Sequence, residues 1–271
     1  MAGFFGMFDY NKPGKGVDKD LYESRFKIFF DVFFRKFWKF IQLNMLYVIL
    51  CIPVFAVMFL VAPFNEIGTD IQMFKMFLFV TCCLIYISVI GFGPLMPGVS
   101  YVLRNFSRQQ HSWIFSDFFE QIKKNFKQSI IVFLIDILFV FIFYTNYNFY
   151  TYLASNNMFM IIAKTFVVMV GMIYFMMHFY IYQIMVTFDM PLKQIYRNSL
   201  MLTLAKLPRN IGVLILILIV TLLTFSTLIS VGIVISCLIS VVFIAYIVNF
   251  TSETIIRKYL MPSDDKDDSI E

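Results

Sequence analysis

Asp136 and His178 are two proton-exchanging side chains set inside stretches that are otherwise apolar, IIVFLIDILFVFIF (130–143) and MIYFMMHFYIYQI (172–184). A charge placed in hydrocarbon costs about 2.5–3.5 kcal/mol even on insertion scales, so such residues face other helices, water or one another. A carboxyl beside an imidazole, which titrates near neutral pH, is the elementary kit of a proton relay or an ion site. The same carboxyl bonded to a Tyr or Thr hydroxyl would instead hold helices together. Asp136 lies about seven residues into its stretch, so about 10 Å deep at 1.5 Å per residue. His178 lies at comparable depth in a stretch running the opposite way, so the two are expected to meet as an intramembrane polar pair.

A second feature is the interruption GFGPLMPGV, in which Gly91, Gly93, Pro94, Pro97 and Gly98 break an apolar run. Broken helices at membrane depth line substrate cavities in transporters, although Pro and Gly kinks are also ordinary in membrane helices. No matching break occurs in the second half of the chain, where an inverted repeat would supply one.

Other chemistry is missing from the sequence. There is no GxxxxGK[ST] phosphate loop, no GxSxG elbow and no HExxH pair, and His111 and His178 lack neighbours with triad or metal spacing. Cys51, Cys82, Cys83 and Cys237 all fall in apolar stretches without CxxC spacing. The expectation is a non-enzyme without catalytic residues, cofactor or metal, coupled to ATP only through a partner.

The elements that position these residues follow from composition. Of 271 residues 60% are hydrophobic and 14% charged, with a mean hydropathy of +0.80, which leaves too little polar surface to coat a water-facing domain. Barrel strands alternate lipid-facing and lumen-facing positions, whereas 211–250 is apolar almost throughout. The fold class is therefore all-α: a polytopic transmembrane helical bundle. Six spans are read, with five as the fallback: 41–61, 76–95, 129–150, 158–182, 212–227 and 233–250. The last two form a hairpin turning near 226–232.

Lys and Arg are retained on the cytoplasmic side during insertion. They cluster in 12–39, 104–127, 193–209 and 257–266, while 62–73, 145–157 and the turn near Ser230 carry none. Both termini are therefore expected in the cytoplasm, with Lys75 and Lys164 as snorkelling anchors. The first 40 residues have mixed charge and lack the short apolar core and cleavage site of a secretory signal. The organisation read is a cytoplasmic segment 1–40, a bundle 41–250 with cytoplasmic loops 103–128 and 188–210, and an acidic tail 251–271. The net charge of +5 is spread over these loops and calls for the lipid bilayer, not for nucleic acid.

Three cytoplasmic pieces have helical periodicity. Phe26, Phe29, Phe30, Phe33, Phe37 and Phe40 line one face, with Lys27, Asp31 and Arg35 as an i,i+4 ladder on another. Asp117 followed by Glu120 predicts a capping box that starts a basic amphipathic helix lying along the inner leaflet. Pro191 and Pro208 bracket a third helix. Arg104, Asp117, Lys123, Lys124, Lys127, Pro191, Arg197 and Pro208 are the candidate docking residues on these pieces.

YNKPGKGVDKD (10–20), FFRKFWKFIQLNMLYVILCIPV (33–54) and GPLMPGVSYVLRNFSRQQHSWIFSDFFEQIKKNFKQ (93–128) resemble the YesL family of bacterial membrane proteins, a domain of unknown function. The second half matches only in hydropathy. In that family the IPV and GP pieces are nearly adjacent, whereas about 40 residues separate Pro53 from Pro94 here. Genes of the family typically sit beside carbohydrate ABC importers. The resemblance thus implies an accessory or regulatory subunit in the cytoplasmic membrane, with such an importer as partner. The alternative is an autonomous small secondary transporter or channel using the break at Gly91 to Gly98 and the Asp136/His178 pair. The sequence leaves homo-oligomerisation undefined.

Overall fold

The computed structural model describes residues 24–61, 70–153, 158–226 and 228–261. The NKPG segment, most of the 62–73 loop, the tip of the 145–157 loop and the acidic tail beyond Met261 lie outside them. Every regular element among the described residues is helical. In α1 (Arg25–Arg35) the Ser24 hydroxyl accepts from the Lys27 N–H at 3.4 Å, and Asp31 pairs with Arg35 at 3.1 Å as the ladder predicts. The helix stops at Lys36, whose ammonium donates to the Gln110 carbonyl at 2.9 Å and lies 4.5 Å from the centre of the Phe106 ring. Of the predicted aromatic face, Phe29 and Phe33 pack on Tyr246 and Phe243, and Phe40 on Phe106, while Phe26 and Phe30 are exposed.

The first predicted span is two helices, α2 (Phe37–Leu50) and α3 (Ile52–Val61), separated at Cys51. Pro53 accounts for the break, since it has no N–H to continue the helical ladder and its ring crowds the preceding turn. The second predicted span is α4 (Asp70–Val89), followed by a 3-10 turn (Gly93–Leu95) and α5 (Met96–Ser107), with a 41° bend between the two arms.

The capping signal at Asp117 mislocates a helix start. A single helix, α6 (Ile114–Leu153), runs unbroken from the basic segment into the membrane stretch. The Asp117 carboxylate reaches back to accept from the Trp113 N–H at 2.9 Å and the Ser112 hydroxyl at 2.6 Å. No breaker interrupts KQSIIVF, so the helix continues to a length of about 60 Å, twice the hydrocarbon thickness. Its basic half is thus continuous with the apolar stretch and not a separate helix.

The chain then folds through α7 (Met158–Thr187), α8 (Leu192–Ala205) and α9 (Leu207–Thr224). Pro191 is the N-cap of α8, and Pro208 stands in the first turn of α9, where its missing N–H costs nothing. α10 (Ile229–Ile235), a π-helical stretch (Ser236–Ser240) and α11 (Val241–Leu260) complete the last arm. The widened π turn frees backbone groups that lipid would leave unpaired. Asn44 satisfies them: its amide donates to the Ser236 and Cys237 carbonyls at 3.1 and 2.7 Å, and its oxygen accepts from the Val242 N–H at 2.9 Å.

Four of these helical units, α6, α7, α9 and α10 to α11, are long and apolar enough to cross a bilayer. Counting the bent α4 to α5 arm makes five. The first of the six spans read from the sequence is not among them: as described, α2 and α3 are 14 and 10 residues long. The core sits towards the basic end: nearly all of α5, Met176–Met185 of α7 and most of Val241–Ile256 of α11 are buried. The opposite halves of α6 and α7 expose apolar side chains such as Phe141, Phe159 and Ile162. An exposed apolar surface of this extent is what a lipid-facing helix presents.

Candidate functional site

Asp136 of α6 and His178 of α7 meet at 2.9 Å, Oδ1 to Nε2, both almost wholly buried. His178 Nδ1 lies 3.1 Å from the Tyr174 carbonyl oxygen one turn earlier. A carbonyl only accepts, so Nδ1 carries a proton. The Asp136–His178 bond then holds one further proton, on nitrogen or on oxygen, and the pair is neutral overall in either arrangement. That neutrality makes its burial at membrane depth tolerable. The Tyr174 hydroxyl donates to the same Oδ1 at 2.5 Å, while Oδ2 is buried without a hydrogen-bond partner. Tyr196 and Ser199 of α8 also bury hydroxyls without a hydrogen-bond partner. Burial, then the neighbouring Asp136, push the Tyr196 hydroxyl up to about 12, which keeps it protonated. The arrangement can exchange a proton between carboxyl and imidazole, and it ties α6 to α7 through one shared oxygen.

The break at Gly91 to Gly98 is filled by protein. Gly91 has φ +70°, which an L side chain rarely adopts, and a Cβ there would fall 2.6 Å from the Tyr47 hydroxyl. Tyr47 donates to the Ile87 carbonyl at 2.9 Å and accepts from the Phe92 N–H at 3.2 Å, so it satisfies backbone that the bend releases. Gly93 lies against α6 at Ser129 and Phe133, and Gly98 lies against Phe118. Pro94 and Pro97 are buried in the same seam.

A polar network that the sequence reading missed joins α5, α7 and α11. Arg108 Nε donates to Glu253 Oε1 at 2.5 Å, and Gln183 Nε2 donates to Glu253 Oε2 at 2.7 Å. Ser252 donates to Gln183 Oε1. Arg104 donates to the Val186 carbonyl at 2.8 Å and the Thr187 hydroxyl at 3.1 Å. The i,i+4 spacing of Arg104 and Arg108 puts two guanidinium groups on one helix face, a pattern that asks for a buried carboxylate.

The candidate docking residues therefore divide. Arg104 is turned inward and Asp117 caps α6, whereas Arg197 is exposed on α8. Lys123, Lys124 and Lys127 line an open cleft of about 660 Å³ between α6 and the α7–α8 connection. Pro191 lines its far wall, and Gln128 ties the two sides by donating to the Met190 carbonyl at 3.2 Å. Among the described residues no group of three or more His, Cys, Asp or Glu has the arrangement of a metal site.

These elements define a class: an all-helical protein carrying several helices suited to cross a bilayer. Within it, residues 73–147 match the family described as Protein of unknown function, DUF624. The match covers a little over a quarter of the chain, from α4 through the bend and Arg104 to the C-terminal part of α6, and includes Asp136. No curated protein and no solved structure matches the chain significantly.

Proposed function

We propose that this chain is an accessory or regulatory subunit of the bacterial cytoplasmic membrane. It lies with both termini inside and acts by binding a carbohydrate ABC importer through its cytoplasmic helices. The importer as partner rests on the resemblance to the YesL family. The observation that carries a binding role is the outward face of α8, where Lys193, Arg197, Leu200, Met201 and Leu204 share one exposed side at helical spacing. The opposite side of α8, Ile195, Ser199 and Leu202, is buried. Asn210 fixes the following turn by donating to the Thr203 carbonyl at 3.1 Å and accepting from Tyr180 at 2.6 Å. A rigid helix that presents a mixed basic and apolar stripe suits a protein partner better than a lone lipid anchor.

Co-purification from native membranes tests this reading. The parent chain is expected to bring down subunits of an ABC importer, and Met201→Glu to lose them by tenfold or more at unchanged expression. Sugar accumulation or leakage by the reconstituted chain alone would remove the subunit reading.

A second reading, a small autonomous transporter, is favoured by the Asp136–His178 contact. Asparagine at 136 is nearly isosteric with aspartate and keeps one oxygen to accept from Tyr174, so Asp136→Asn preserves shape while removing the exchangeable carboxyl proton. On the subunit reading, cells carrying Asp136→Asn grow on the imported sugar as the parent does. Lost growth with normal expression would favour the proton-exchanging role instead.

A further inference from the structure

We propose that the Lys123–Lys124–Lys127 cleft holds the phosphate headgroup of an anionic phospholipid, with one acyl chain laid along α6. This goes beyond the partner reading and does not depend on it.

The three ammonium groups occupy one side of α6, at i, i+1 and i+4, and all three side chains are exposed. Facing them is the Phe188–Pro191 connection, so the cleft has a basic wall and an apolar floor of Met185, Phe188 and Met190. One carboxylate, that of Asp189, stands at the rim. It lies 3.3 Å from the Lys124 ammonium and is itself largely exposed. One negative charge against three positive leaves the cleft short of anion.

Charge alone would suit free phosphate or an acidic peptide equally, and the geometry of α6 decides between them. Gln128 and Ser129 are the last polar residues before the apolar run, so the lysines stand at the level where headgroups lie. Below Lys127 the same face continues as Ile131, Leu134 and Leu138, at spacings of four, three and four residues. These three side chains are 45%, 59% and 57% exposed. A basic head joined without interruption to an exposed apolar stripe matches an amphiphile. A free phosphate would use only the upper part, and an acidic peptide would not descend along Ile131 to Leu138.

Native mass spectrometry of the full chain released from detergent, with phosphatidylglycerol or phosphatidylcholine supplied in equal amounts, tests the proposal. The parent chain is expected to retain phosphatidylglycerol about tenfold over phosphatidylcholine, well within what three juxtamembrane lysines can supply. Lys123→Gln, Lys124→Gln and Lys127→Gln combined should bring that ratio near one. The corresponding triple arginine variant should keep it. If the triple glutamine variant does not elute as a single species, Lys127→Gln alone is measured and should at least halve the ratio. The proposal is overturned by a parent chain without preference, or by a preference that survives neutralisation of the lysines. Displacement of the lipid by millimolar inorganic phosphate would mark a soluble-phosphate site, and displacement by polyglutamate an acidic-protein site; either result also overturns it.

Discussion

Glu253→Ala is expected to destabilise the chain by about 3–5 kcal/mol, because it strands a guanidinium at the junction of three helices. Glu253 is almost wholly buried and accepts from Arg108 through one oxygen and from Gln183 through the other. Without it Arg108 keeps its charge and loses its counter-ion, and Gln183 loses its charged acceptor. A further Arg108 nitrogen, Nη2, already has no partner, so no alternative bond is waiting to take over. Reversible unfolding in mixed micelles of detergent and denaturing surfactant reads the effect as a shifted midpoint. A double-mutant cycle with Arg108→Met isolates the pair: removing both charges should cost less than the sum of the two single changes. An alanine variant within ~0.5 kcal/mol of the parent would mean that the pair contributes nothing net, as many exposed pairs do.

That network also marks where the sequence stopped being legible. Apolar run length announces a bilayer without any knowledge of packing, because lipid accepts few other solutions. The Asp136–His178 contact was legible for a related reason: two isolated polar residues at one depth, on neighbouring antiparallel helices, have few other partners. Arg104 was misplaced on the surface because counting Lys and Arg for topology ignores the helix face on which each one stands. Glu253 was overlooked because it follows the last apolar run, where an acidic residue reads as the beginning of a polar tail. The continuity of α6 was hidden by a genuine capping signal, since Asp117 does cap the helix, from three residues inside it. Asn44 is the extreme case. Its partners are backbone groups of a π turn some 190 positions away, and no local pattern announces a π turn.

Gly93→Ala should cost about 3 kcal/mol, the upper range for forcing one methyl into a packed seam. A Cβ at Gly93 would lie 2.5 Å from the Phe133 Cβ and 2.8 Å from the Ser129 carbonyl oxygen. Neither is the free end of a flexible side chain, so relief requires α6 to move away from the bend. Close approach of backbones through small residues is how helices associate where lipid offers no hydrophobic drive. Moving α6 would also pull Asp136, three residues beyond Phe133, away from its place beside His178. Gly212 supplies the internal control: it sits in α9 with nothing within 4 Å of a built Cβ. Gly212→Ala should therefore gain up to about 1 kcal/mol from helix propensity alone. Measured side by side by thermal loss of the monodisperse peak, the two alanine variants should move in opposite directions. Equal and small shifts would show that the seam between the bend and α6 yields freely, and would overturn the reading that the break is filled by packing.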